Sequence, residues 1–211
     1  MSNDMVVSGS LPFRVTKRIF DIIFSLILMI PVIFVIFISF VFIKIEDGGS
    51  IFYKAERTGL FGKPFNMYKI RSMKENAPDI RLEDGSTYNG DDDPRVTKFG
   101  KFIRKTSIDE LPQIINVLLG HMSFVGPRPD TPMYLDKYTE EEKKILTVRP
   151  GITGYNQAVN RNSVLTKEKL KNDIYYVENL SFLFDIKIIF LTILTLLKRS
   201  NVNRNLDIIE D

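Results

Sequence analysis

The sequence predicts an α+β fold that is mainly helical, with a short β-hairpin, an N-terminal membrane helix and amphipathic helices at the membrane interface. Three observations carry this. Ile22 to Ile43 runs for 22 residues without a charge, and one helix of about 20 apolar residues crosses a hydrocarbon core. Ile51–Lys54 and Pro64–Ile70 read as short strands joined by the turn-rich segment Gly59–Lys63. Further on, apolar positions recur at helical spacing in Val96–Thr106, Lys167–Asn179 and Ser181–Leu197.

Composition narrows the chemistry. With 211 residues the chain suffices for one domain with a core plus an appendage. A formal net charge of +3 does not by itself argue for nucleic acid, which is not an expected partner. Cysteine is absent, which excludes disulfides and thiolate metal sites. His121 is the only histidine, so a histidine triad or multi-histidine metal site is excluded.

Residues 1–16 are expected to form a flexible, polar N-terminus. Arg14, Lys17 and Arg18 precede the apolar run and Lys44, Lys54 and Arg57 follow it. Positive residues favour the cytoplasmic side, so a run that is basic at both ends has no clear orientation. Pro31, near its middle, removes a ladder bond and can bend the helix. Two topologies stay open on the residues alone: a single span, and a helix that bends at Pro31 and leaves by the face it entered. The second removes the orientation conflict, provided Ser25 or a neighbouring segment satisfies the freed carbonyls.

Glu46–Ser50 reads as a turn. In the second strand Lys69 and Arg71 alternate with apolar residues, giving either a solvated edge or a cationic site face. Glu75–Pro94 is a polar loop whose acidic run, Asp91–Asp93, is expected to be solvated. Val96–Thr106 carries Lys98, Lys101, Arg104 and Lys105 on a basic side, which suits anionic lipid or presents Arg104 to a phosphate. Tyr134–Val148 reads as a charged surface helix. Arg149–Gly154 is turn-dense, and such backbone can cradle an anion. Ser181–Leu197 is apolar but for Asp185 and Lys187, and reads as a buried helix or as one docked on the bilayer. From residue 200 the chain is a polar tail.

The densest chemistry lies between Lys105 and Asp130. Ser107–Glu110 matches a capping box, in which a serine and a glutamate three residues on satisfy each other's backbone. Pro112 argues differently: proline disfavours helical geometry in the residue before it and is at home as the first helical residue. Asp109 and Glu110 then sit in the lead-in turn and neither is needed as a cap. Two adjacent carboxylates repel, and a divalent cation relieves this. Mg²⁺ takes one or two carboxylates and leaves its other positions to water and phosphate. One carboxylate can hold metal while its neighbour attacks phosphorus as a nucleophile. Arg128, between Pro127 and Pro129, is stiffened for two-pronged binding of phosphate.

Seven strings stand in order along the chain: Lys17-Arg-Ile-Phe-Asp21, Tyr68-Lys-Ile-Arg-Ser-Met73, Lys98-Phe-Gly-Lys-Phe-Ile-Arg104, Ser107-Ile-Asp-Glu-Leu-Pro-Gln113, Met122-Ser-Phe-Val-Gly-Pro-Arg-Pro129, Arg149-Pro-Gly-Ile-Thr-Gly154 and Tyr175-Tyr-Val-Glu-Asn-Leu-Ser181. Together they resemble the bacterial sugar transferases, monotopic phosphoglycosyl transferases that use polyprenol phosphate. The likeness runs from Lys17 to Arg199. It implies transfer of a sugar-1-phosphate from a UDP-sugar to undecaprenyl phosphate with release of UMP, as a first membrane step of glycan assembly. It implies that Asp109 is the nucleophile that becomes covalently phospho-glycosylated and that Glu110 binds Mg²⁺. Lys69, Arg104, Arg128 and Arg161 match the phosphate-handling positions. It further implies that residues 17–45 form a re-entrant helix broken at Pro31, with residues 46–199 a catalytic domain on the cytoplasmic face of the bacterial inner membrane, in contact with membrane lipid. Homo-oligomerisation is compatible with this.

Three positions depart from the family pattern. Ile30 replaces the serine often found before the hairpin proline. Gln157-Ala-Val-Asn-Arg161 lacks a glycine but keeps the arginine spacing. His121 stands where an acidic residue is frequent and is assigned no role. Two rival readings predict different behaviour: a non-catalytic scaffold binding anionic headgroups, and a transferase using one direct displacement.

Overall fold

A computed structural model describes residues 5–80, 88, 90, 92–160 and 166–197. Arg161, Asp91, Lys198, Arg199 and the tail 200–211 lie outside the described residues. The elements are α1 (Leu11–Glu46), β1 (Phe52–Thr58), β2 (Pro64–Ile70), α2 (Lys98–Lys105), α3 (Gln113–Leu118), β3 (Ser123–Val125), β4 (Gly151–Thr153), α4 (Tyr155–Asn160), α5 (Thr166–Glu178) and α6 (Phe182–Leu197). The fold is mostly helical, as expected, with two small sheets where one hairpin was expected.

Helix α1 begins earlier than expected, inside the segment read as a loose terminus. Ser10 caps it by accepting from Phe13 N (3.4 Å), and Pro12 sits in the first turn, where its missing N–H costs nothing. The helix continues through Pro31 without an interruption in its secondary structure. Its side chains are arranged inside out. Asp21, Ser25, Val32, Ser39 and Ile43 are buried, at spacings of one face of a helix. Outward stand Leu26, Ile27, Ile30, Ile33, Phe34 and Phe37, each more than half exposed. A helix with this outward apolar face is long and apolar enough to cross a membrane. Of the two candidates for satisfying freed carbonyls, Ser25 makes no such bond: among the described residues its buried Oγ has no hydrogen-bond partner, whereas Ser39 Oγ donates to Val35 O (2.8 Å).

The start of α1 is clasped to the rest of the chain. One Asp21 carboxylate oxygen accepts from Ser123 Oγ (3.0 Å) and Phe124 N (3.1 Å) of β3. Arg18 donates to Val117 O (2.6 Å) and Leu118 O (2.9 Å), the last carbonyls of α3, where an unpaired helix end favours a cation. Lys17 pairs with Asp185 of α6, which also accepts from the Tyr176 hydroxyl (2.8 Å). At the other end Ile43 packs with Ile70 and Ile103. Glu46 accepts from Lys98 N (2.6 Å) and Phe99 N (3.2 Å) and so caps α2.

Strands β1 and β2 pair antiparallel from Phe52↔Ile70 to Thr58↔Pro64. The first strand is longer than Ile51–Lys54 because its far end is held: Thr58 N donates to Asp130 O (2.9 Å). A second sheet was not expected. Strands β3 and β4 run parallel, Ser123 opposite Gly151 and Val125 opposite Thr153. The turn-dense Arg149–Gly154 stretch is therefore a packing device. A Cβ on Gly126, Gly151 or Gly154 would overlap the facing backbone, so glycine is what lets the two chains approach. Within the stretch Gly151 N is engaged, donating to Pro127 O, and Gly126 N donates to Thr153 O, both at 2.9 Å.

Tyr134–Val148 is not one helix but two 3-10 segments, Pro132–Lys137 and Glu142–Thr147. Between them Thr139 N donates to Glu142 Oε2 (2.7 Å) and Glu142 N to Thr139 Oγ1 (3.2 Å). This reciprocal pair is a capping box, and it restarts the helical turn there. Helices α5 and α6 form as expected. Ile188 is fully buried, while Leu183, Ile186, Phe190 and Ile193 leave an exposed apolar outer face; α6 thus has one face in the core and one turned out.

Asp173 of α5 is fully buried and neither oxygen has a hydrogen-bond partner. Burial pushes its carboxyl up to about 7, against Lys169 and helped by Asp130. The folded chain then holds a proton that the unfolded chain gives up near pH 4, so stability falls as pH rises across that window. We expect Asp173→Asn to raise the melting temperature by a few degrees at pH 8 and by less at pH 5. Scanning calorimetry at both pH values checks this, and an equal gain at both refutes it.

Candidate active site

Between α2 and α3 the chain makes a sharp turn that presents two acids. Ser107 adopts a left-handed conformation (φ 59°, ψ 18°) and its side chain makes no capping bond. The capping box that the Ser107–Glu110 pattern matches is therefore not formed. Ile108–Glu110 forms a 3-10 turn instead, closed by Glu110 N to Ser107 O (3.2 Å) and Leu111 N to Ile108 O (3.2 Å). Pro112 then leads into α3, so both carboxylates occupy the lead-in turn, as its position implies. A non-glycine residue in that left-handed region is strained by about 1–3 kcal/mol, and such strain gathers at working sites.

Glu110 is the most heavily bonded side chain here. Its Oε1 accepts from Lys69 Nζ (2.8 Å) and Arg128 Nη2 (2.7 Å), and its Oε2 from Arg128 Nη1 (3.2 Å). Lys69 arrives from β2, opposite Tyr53 in the hairpin register. Arg128 arrives from the segment after β3, aimed by Pro127 and Pro129. Burial alone would raise the Glu110 carboxyl, but Arg128 and then Lys69 outweigh it and hold it well below the usual carboxylate range. Glu110 in turn raises Arg128.

Asp109 differs in every respect. It is 8% exposed, and among the described residues no hydrogen bond or ion pair reaches its carboxylate. Burial pushes it up to about 6; Lys69 opposes this, Glu110 adds to it, and Arg104 and Arg128 oppose it. Two neighbouring acids whose ionisations are driven apart commonly divide chemical roles. Arg104 is oriented by Ser72 Oγ, to which its Nε donates (2.8 Å). Burial lowers its pKa and Asp109 is the largest opposing influence.

The fold thus gathers Lys69, Arg104, Asp109, Glu110 and Arg128. Arg71 is not among them, although it alternates with Lys69. Its guanidinium turns to Asp47 and Ser50 O, because β2 ends at Ile70 and Arg71 locks the end of α1 to the hairpin. Two further residues join the site's edge. Asp130 accepts from Tyr138 Oη (2.6 Å) and Lys169 Nζ. Arg57, readable from sequence only as a cation after the apolar run, reaches the neighbourhood of Arg128, Asp130 and Glu110. The one available signal was strand alternation, and the sheet partner that gives it meaning is remote in sequence. His121 packs near the Phe65 ring (5.8 Å between centroids) and takes no part.

Among the described residues there is no group of three or more His, Cys, Asp or Glu able to hold a metal. The donors that exist are the unbonded Asp109 carboxylate and Glu110 beside it. Two carboxylates fit Mg²⁺, which draws its remaining ligands from water and phosphate. At Glu110 the ion must share or replace a bond now made by Lys69 or Arg128. A buried carboxylate, unbonded among the described residues and set among three cations, is suited to attack an anionic phosphorus centre, because the cations absorb the charge that the transition state concentrates.

Comparison with known proteins gives the family. A family model described as bacterial sugar transferase matches residues 13–199. An uncharacterized sugar transferase of Bacillus subtilis, EpsL, is 41% identical over 179 residues, covering 85% of this chain and 86% of the relative. The undecaprenyl-phosphate galactose phosphotransferase of Salmonella typhimurium is 39% identical, covering 88% of this chain and 41% of its own length. The UDP-glucose:undecaprenyl-phosphate glucose-1-phosphate transferase of Escherichia coli is 40% identical, covering 85% of this chain and 40% of its own length. The chain spans about two-fifths of those two larger relatives. With its site geometry and a match over nearly its whole length, the chain belongs to the bacterial sugar transferase family.

Proposed function

We propose that the chain transfers a sugar-1-phosphate from a UDP-sugar to undecaprenyl phosphate in two displacements through Asp109. The observation that carries this is the contrast within one turn: Asp109 unbonded, Glu110 locked by Lys69 and Arg128. In the first displacement an Asp109 oxygen bonds the sugar-bearing phosphorus and the bond to the bridging diphosphate oxygen breaks, so UMP leaves with the electron pair. In the second an undecaprenyl phosphate oxygen bonds the same phosphorus, the aspartyl P–O bond breaks, and the Asp109 carboxylate is restored. Splitting the transfer means that the soluble donor and the lipid acceptor never need to meet at once.

Arg128 and Lys69 stiffen the turn and supply positive charge on the phosphoryl oxygens, while Arg104 faces Asp109. Arg161 has the spacing to join them. Mg²⁺, held by Glu110, would neutralise diphosphate charge when bound. The two larger relatives bear different sugars in their names, galactose and glucose, so the sugar is left as a UDP-sugar.

A re-entrant membrane arrangement is supported by both ends of α1 meeting the same body. Lys17, Arg18 and Asp21 bind α6, α3 and β3, and Ile43 packs under β2 and α2. A straight helix from Lys17 to Lys44 would part its ends by about 40 Å. A re-entrant path at Pro31 keeps both basic flanks on the cytoplasmic face, places the site at the lipid boundary and lets the acceptor arrive by lateral diffusion.

Three outcomes are expected. Asp109→Asn abolishes UMP release by at least ~10³-fold and forms no labelled phospho-sugar adduct when acceptor is withheld, while the protein still enters the membrane fraction. Adduct formation by the variant, with deamidation excluded by mass spectrometry, would overturn the assignment. Chelation of divalent cations stops UMP release by the wild type and added Mg²⁺ restores it; release that persists in chelator removes the metal from the scheme. Because the chain has no cysteine, Val6→Cys and Lys54→Cys report on topology. Both are expected to react with an impermeant thiol reagent from the same side of sealed vesicles, and labelling from opposite sides sinks the re-entrant path.

A further inference from the structure

We propose that Arg57 is a substrate-binding residue for the phosphoryl group that departs with the nucleotide; the inference rests on the two-displacement reading above. Directly opposed residues of an antiparallel pair share a face. Arg57 opposes Phe65, and two residues earlier Ala55 opposes Met67. Ala55, Phe65 and Met67 are buried together, so Arg57 extends from the inward face of the hairpin. Tyr53 and Lys69, the pair at the Glu110 end, lie four residues away, about 13 Å along the strand. The Arg57 end is stitched by Thr58 N to Asp130 O (2.9 Å), two residues beyond Arg128. Two guanidinium groups are thereby brought together beside a groove lined by Thr58, Gly59, Arg128, Asp130 and Tyr138.

Among the described residues no carboxylate makes an ion pair with Arg57. Its hydrogen bond goes to the carbonyl of Glu56, at 2.8 Å from Nη1. The two carboxylates nearest in charge are engaged elsewhere: Glu110 by Lys69 and Arg128, Asp130 by Tyr138 and Lys169. Burial, and then the like charge of Arg128, work against the charged form of Arg57. A half-buried cation pressed against a second cation is relieved by an anion that both can bind. Guanidinium forks match the oxygens of a phosphoryl group.

The position selects which phosphoryl group. Lys69, opposite Tyr53, meets the acidic turn through Glu110, and Arg57 stands four residues past Tyr53 along β1. Its end of the hairpin is stitched to Asp130, two residues past Arg128, so Arg57 lies on the side of Arg128 remote from the Lys69 end. In phosphoryl transfer the attacking and leaving oxygens stand roughly in line. A cation one step past Arg128, away from Asp109, therefore meets the leaving side of the diphosphate.

The test uses the full chain in lipid nanodiscs, with Arg57→Gln and Arg57→Lys. Affinity for UMP and for inorganic pyrophosphate is measured by calorimetry, and adduct formation and its discharge to undecaprenyl phosphate are timed separately. We expect Arg57→Gln to weaken UMP binding by about tenfold or more, the scale of a lost charged hydrogen bond. Adduct formation slows, discharge is unchanged, and Arg57→Lys recovers part of the affinity. UMP affinity within about twofold of wild type overturns the proposal. So does slowed discharge with unchanged UMP binding, which would assign Arg57 to the acceptor phosphate. Loss of cooperative melting in both variants overturns it too, since the residue would then be structural. If the wild type forms no adduct, the two-displacement reading fails, while the UMP measurement still decides whether Arg57 binds a nucleotide phosphate.

Discussion

The Glu110 carboxylate is the knot of this structure. It joins β2 through Lys69 and the segment after β3 through Arg128 to the turn between α2 and α3. Ion pairs taken out of water gain little net stability, because desolvation consumes most of the attraction. Their value lies in geometry: breaking one leaves a stranded charge, so the three segments are held in one arrangement. The neighbouring acid is shaped by the same knot. With both cations engaged at Glu110, Asp109 is left buried and unbonded, and its ionisation shifts towards neutrality. One residue supplies rigidity, and its neighbour keeps a carboxylate that no described group bonds.

The membrane helix is wired into that arrangement. Asp21 holds the backbone of β3, and β3 runs directly into the proline-framed segment that carries Arg128. Arg18 covers the carbonyl end of α3, whose start adjoins the acidic turn. Burying Asp21 among lipid-facing apolar neighbours is tolerable because its bonds go to a serine hydroxyl and a strand N–H. The polar residues of an apolar helix therefore register it against the site.

The second sheet serves the same end by a different means. Gly126, Gly151 and Gly154 bring β3 and β4 into backbone contact, closer than side chains allow. Tyr138 and Lys169 then hold Asp130 from the far side. The arginine-bearing segment is thus fixed before and after Arg128. Such fixing lowers the reorganisation needed when a charged substrate arrives.

Local patterns in the chain were enough for the long apolar helix, the hairpin, α2, α5 and α6, because periodicity and turn residues act over a few neighbours. The acidic pair and the arginine between prolines were legible for the same reason. The capping box shows where local reading stops: the pattern at Ser107–Glu110 forms no box, whereas Thr139–Glu142 forms one within a stretch that reads as continuous helix. Each match is a local option that only the surrounding packing accepts or refuses. The parallel pairing of β3 with β4, the turning of Arg71 towards Asp47 and the arrival of Arg57 beside Arg128 were decided by tertiary structure alone. Each depends on which remote backbone lies alongside, and a side chain's partners across such a contact leave no period or spacing in the sequence.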